Sequence, residues 1–125
     1  MDFDEKQRLA HKDDTGLAAC AIRLRAARKV TGREAQDLAK DSGVSKQVYS
    51  NAENGLNYPN RDVMRHLYRA YRIDFNFMFN GDFVQLPGDV QERLFPALVE
   101  ANDEWDRKAS SDRAREKSQP SPQRS

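Results

Sequence analysis

The sequence is short of cysteine: Cys20 stands alone among 125 residues. A single thiol excludes an intrachain disulfide framework and any four-cysteine metal site. Long apolar runs are also missing, and no stretch approaches the roughly 18 residues needed to span a bilayer. The amino-terminal Met1-Asp2-Phe3-Asp4-Glu5 is acidic where a secretory leader is basic and then apolar. There is no surplus of one charge sign, since 21 Lys+Arg face 20 Asp+Glu for a net charge of +1. The chain therefore reads as a soluble, cytoplasmic protein. With 38% hydrophobic content over 125 residues, it holds one small domain with appendages and not two domains.

Motifs of catalysis are absent too. No G-x-G-x-x-G, P-loop, H-E-x-x-H or G-x-S-x-G occurs. His11 and His66 are isolated in sequence, and Asp13-Asp14 is a solvated pair near a terminus. The expectation is a protein that is not an enzyme and needs no cofactor and no metal.

What is present is charge in blocks. Residues 1–16 carry three basic and five acidic side chains, and residues 17–80 carry eleven and six. Residues 81–106 carry one and seven, and residues 107–125 carry six and two. A basic block is most often only a solvated surface, so its position in the fold decides whether it meets a polyanion. The last 17 residues, 109–125, hold almost nothing apolar and read as a disordered basic tail. Residues 1–16 read as a poorly ordered arm on which Phe3 and Leu9 could dock.

Between these ends the periodicity is helical. Leu17, Cys20, Ala21, Leu24 and Ala27 recur at spacings of three and four, the stripe of an amphipathic helix over 17–29. Cys20 lies on that stripe and reads as a small buried hydrophobe. Thr31-Gly32-Arg33-Glu34 has the form of a capping box. It predicts a helix from there to about Asp41, burying Ala35, Leu38 and Ala39 and ending at Gly43. Ser45 is the next cap, for a helix over 46–54 stopped by Gly55. Its apolar residues are few, Val48, Tyr49 and Ala52, and its other face is Lys46, Gln47, Ser50 and Asn51. Short amides with one cation suit base edges, because Gln and Asn can bond adenine and Lys can bond guanine. Asn60 caps a helix over 61–71 that buries Val63, Leu67, Ala70 and Tyr71, and Asp74 caps a short one over 75–79. The second and third helices, joined around Gly43, have helix–turn–helix geometry.

Several positions agree in register with a known pattern. Leu38-Ala39, Gly43-Val44-Ser45, then Ser50, Glu53 and Gly55, followed by Pro59, resemble the Cro/cI-type (Xre-like) helix–turn–helix family of phage and bacterial regulators. Residues 23–28 resemble that family's first helix, and Phe75 to Gly81 its fifth. The resemblance covers residues 17–81. It implies an all-α, five-helix, lambda-repressor-like domain in which helix 46–54 enters the major groove of double-stranded DNA. It implies Lys46, Gln47 and Asn51 as base readers with Ser50 at the edge. Ser45 and Asn54 stand where the family contacts phosphate, and Glu53 stands as an intradomain partner of an arginine. The family's Gln at the start of the second helix is replaced here by Ala35, with Arg33 or Gln36 as the substitute. Ala52 is small where the family is bulky, leaving space for Tyr49 or the Phe75, Phe77 and Phe79 group. The basic block adds Arg23, Arg28, Lys29, Arg33 and Lys40 as phosphate candidates.

Residues 82–108 read as a helical extension. Asp89-Val90-Gln91-Glu92 has capping-box form, and Val90, Leu94, Leu98, Val99 and Trp105 fall near helical spacing. Pro96 should kink or split this helix near Phe95. The segment either folds back on its own domain or forms a homodimer surface, and the second is favoured because one reading helix covers only a few base pairs. The functional expectation is a sequence-specific transcriptional regulator, most simply a repressor. The alternative is a protein-interaction module on the same fold, such as an antitoxin that binds a partner protein through residues 81–106.

Overall fold

The computed structural model describes residues 1–118. They form α1 (Phe3–Leu9), α2 (Leu17–Thr31), α3 (Ala35–Ser42), α4 (Lys46–Glu53), α5 (Arg61–Tyr71), α6 (Phe75–Asn80) and α7 (Gly88–Ser118). No strand occurs among the described residues. None of the described helices is long and apolar enough to cross a membrane.

The fold is built around α2. Its Ala19, Cys20, Ala21, Ile22, Leu24, Ala26 and Ala27 are all buried, which is more of its circumference than one stripe. Small side chains let partners approach on several sides, and α2 packs against α4, α6 and α7. Burial also pushes the Cys20 thiol pKa up, consistent with a packing role. Around this axis Leu24, Leu38, Leu67, Phe77, Leu94 and Leu98 are fully buried. Each such side chain contributes about 1.5–3 kcal/mol by leaving water.

Most predicted helices fall where their caps place them. Ser45 Oγ accepts from the Val48 amide at 3.1 Å, Asn60 Oδ1 from the Asp62 amide at 2.7 Å, and Asp74 Oδ1 from the Phe77 amide at 2.9 Å. Gly43 closes α3 at φ +76°.

Six expectations are corrected. The capping box at Thr31 does not form. Instead α2 runs on to Thr31, whose Oγ1 donates to the Arg28 carbonyl at 2.6 Å, and α3 begins only at Ala35. A long apolar helix with a glycine at its end outcompetes a local side-chain cap. Residues 1–16 are not a loose arm. Asp2 caps α1, Leu9 and Ala10 join the core, and α1 packs on α7. Pro96 does not split α7, which is helical from Gly88 to Ser118. Pro96 lies on the exposed side, where water can satisfy the freed Glu92 carbonyl, while Leu94, Leu98 and Ala101 pack beneath. Asp89 does not cap α7 but lies in its first turn, paired with Arg72. The tail expected to be unstructured from 109 is helical to Ser118, and residues 119–125 lie outside the described residues. On α5, Ala70 is exposed and Tyr71 half-buried, because Val63, Met64 and Leu67 carry its core side.

The segment after α6 folds back on its own domain. Val90, Leu94, Phe95, Ala97, Leu98 and Ala101 of α7 are buried within this chain, chiefly against α2. The apolar residues that were to form a dimer surface over 82–108 are therefore already used, Val99 and Val84 excepted.

Candidate nucleic-acid interface

The exposed face of α4 is the feature to build from. Tyr49 and Ala52 are 1% and 2% exposed and fasten its inner side to the core. Tyr49 is the bulky buried residue of this side beside the small Ala52, and of Phe75, Phe77 and Phe79 only Phe77 is buried. At its carboxy-terminal end, Glu53 accepts from Arg28 Nε at 2.7 Å and Nη2 at 3.1 Å. Arg25 Nε donates to the Glu53 carbonyl at 2.8 Å and Arg25 Nη2 to Asn54 Oδ1 at 3.2 Å. The open carbonyl end of α4 thus meets a cation, as both its hydrogen-bond needs and its dipole favour.

Outward, Lys46 and Gln47 are exposed and Ser50 and Asn51 half-exposed, so the four predicted base readers share one face. Lys46 has no ion-pair partner among the described residues. Gln47 Nε2 donates to Asn51 Oδ1 at 2.7 Å. That bond leaves Gln47 Oε1 and Asn51 Nδ2 free, an acceptor and a donor matching the adenine N6 and N7 edge. Val48, 43% exposed, borders the same face. An apolar group there can meet a thymine methyl.

The predicted phosphate residues divide. Ser45 lies at the start of α4, with its hydroxyl proton free after accepting from Val48. Gln36 and Lys40 are both exposed and one turn apart on α3, which packs on α4. Asn54 is held by Arg25 and donates to Ser50 Oγ at 3.3 Å. Arg33 is engaged with Asp41 at 2.9 and 3.1 Å. Arg23 is ruled out as a contact: it is fully buried and donates to carbonyls of Ala10, His11, Asp14, Met78 and Phe79. Burial lowers its pKa. Arg28 is committed to Glu53, which raises its pKa, and Lys29 pairs with Glu104 at 2.8 Å. These three were drawn from the basic block by charge alone, and only the fold separates internal ties from free cations.

Sequence reasoning missed Val48, counted as core, and Arg25, which orients the end of α4. A third is Trp105, whose ring lies over Gly55 in the turn after α4. Gly55 at φ +74° leaves room for it, since an added Cβ would stand 2.8 Å from the indole. The periodicity placed Trp105 on a stripe but not against this turn.

Residues 19–74 match the family model described as a helix-turn-helix domain. The matched span runs from within α2 to the cap of α6, so it contains the α3–turn–α4 pair whole. No curated protein and no solved structure matches the chain significantly. The matched span therefore lies between α1 before it and α6 and α7 after it, all three outside the match.

Proposed function

We propose that the chain is a sequence-specific, double-stranded-DNA-binding transcriptional regulator of the Cro/cI type, acting as a repressor and reading the major groove with α4. The observation that carries this reading is the outer face of α4. A helix serving only solubility would expose Glu and Lys pairs, and a core helix would expose nothing. Here Lys46, Gln47, Ser50 and Asn51 stand together with a rigid backing of Tyr49, Ala52 and Glu53. Ser45, Gln36, Lys40 and Asn54 flank this face as phosphate ligands, with Arg33 available if it exchanges Asp41 for phosphate. The chemistry is binding and not catalysis, and repression follows from occluding a promoter.

Reading an inverted repeat takes two copies about 34 Å apart. The homodimer surface is best sought away from α7. Tyr58, Tyr68, Phe75 and Phe79 are all exposed, with Tyr58 against Phe79 at 6.2 Å and Tyr68 against Phe75 at 5.9 Å. These four rings form an apolar row along α6, the kind of patch that marks a protein contact. The interaction-module alternative is less favoured, because residues 81–106 spend most of their apolar surface inside this chain.

Selection of bound duplexes from a random library tests the reading. An inverted repeat should emerge, binding should weaken steeply with salt, and Lys46→Ala and Gln47→Ala should lose base preference at defined positions. Weak binding with no recovered motif overturns it. A solution mass near the 14.4 kDa of one chain at micromolar concentration overturns the dimer.

A further inference from the structure

We propose that the carboxy-terminal part of α7, from Arg107 onward, is a second DNA contact that grips backbone phosphates outside the stretch read by α4. The inference rests on the DNA-binding reading above and adds a separate site to it.

The first support is position. Trp105 lies on Gly55, two residues past α4, and its ring is 5.7 Å from the Arg25 guanidinium. That same Arg25 holds the Glu53 carbonyl and Asn54 at the end of α4. At Trp105, α7 therefore touches the end of the reading helix itself. Arg107 and Lys108 follow within one turn, and Lys108 Nζ stands 5.4 Å from the Trp105 ring.

The second support is a change of sign at that point. Along its docked part α7 carries Asp89, Glu92, Glu100, Asp103 and Glu104 against Arg93 alone. Three of those acids are met by basic groups of the body: Lys29 meets Glu100 and Glu104, and Arg72 meets Asp89. Past Trp105 come Arg107, Lys108, Arg113 and Arg115 against Asp106 and Asp112. The ion pair of Lys108 is with Asp112 of α7 itself, not with the domain.

The third support is exposure. Arg107 and residues 110–115 are exposed, so this stretch of helix is not held by burial. Arg107 to Arg115 spans about 12 Å at 1.5 Å per residue, long enough to meet two or three phosphates of one strand. A basic helix fixed at one end beside the groove-reading element places those charges without reading sequence.

The test uses the full chain, the duplex recovered by selection, and the same duplex lengthened by ten base pairs on each side. Wild-type protein should bind the longer duplex more tightly. Its slope of log affinity against log salt should be steeper by about 2, which is about a fifteenfold larger loss over a fourfold rise in salt. The combined variant Arg107→Gln, Arg113→Gln, Arg115→Gln should bind both lengths alike, with the base preference of wild type intact. Equal wild-type binding to both lengths, or a length effect that survives in the variant, overturns the inference while leaving the regulator reading standing. Failure to recover any duplex overturns both.

Discussion

Arg28 and Glu53 join the last turn of α2 to the end of α4 through two hydrogen bonds, at 2.7 and 3.1 Å, with side chains only 21% and 9% exposed. A paired charge at this depth stabilises less than the loss of one partner costs. Glu53→Ala should therefore lower stability by about 2–4 kcal/mol, since it leaves the Arg28 guanidinium half-buried without an anion. Glu53→Gln keeps an acceptor and should cost less. Denaturant unfolding of both variants checks the order. Equal stability of Glu53→Ala and wild type would mean that the pair does not anchor α4.

Arg23 does the corresponding work near the middle of α2. Its five N–H groups face five carbonyls, two after α1 (Ala10, His11), one in the loop before α2 (Asp14) and two in α6 (Met78, Phe79). Lysine has three donors and no planar fork, so Arg23→Lys leaves carbonyls unsatisfied. The expected loss is about 2–4 kcal/mol, given that each buried group left unpaired costs about 1–3 kcal/mol. Hydrogen exchange should rise together in residues 10–14 and 78–81. A rise confined to one of these segments would show that Arg23 does not couple them.

These two arginines show where the sequence was legible. Helices α4, α5 and α6 were readable because Ser45, Asn60 and Asp74 cap them locally. The reading face of α4 was readable because polar residues recur at helical spacing. Roles settled across the chain were not. Arg23, Arg28 and Lys40 are equal as charges in sequence, yet one is buried among carbonyls, one is paired and one is exposed. Thr31 had a cap's spacing but lost to the continuation of α2, and Pro96 had a breaker's identity but lost to the packing of α7 on α2. In each case tertiary burial outweighed a local preference worth about 1–3 kcal/mol.

Gly81 tests the junction of α6 with the arm before α2. Its φ is +74°, and an added Cβ would lie 2.5 Å from the Ala10 carbonyl oxygen and 3.1 Å from Arg23 Nη1. Gly32 has a similar φ of +71° with open space around it. Gly32→Ala should therefore cost only the conformational penalty, about 1 kcal/mol. Gly81→Ala adds a clash with backbone that cannot swing aside, and should cost at least about 2 kcal/mol more. Thermal unfolding of the two variants, measured side by side, decides the point. Equal shifts would mean that the arm yields without resistance.

Val48 separates recognition by shape from recognition by a methyl group. It is exposed on the border of the face formed by Lys46, Gln47 and Asn51, where an isopropyl group gains nothing from water. Set against a thymine, it buries the C5 methyl, worth about 1 kcal/mol for a well-packed carbon. Replacing the thymines of the selected duplex one at a time by uracil should weaken wild-type binding severalfold at one position in each half-site. Val48→Ala should bind the thymine and uracil forms nearly alike, with its unfolding midpoint unchanged because the side chain touches little of the core. If every thymine can be exchanged without loss, Val48 makes no methyl contact, and base discrimination falls to Lys46, Gln47 and Asn51 alone.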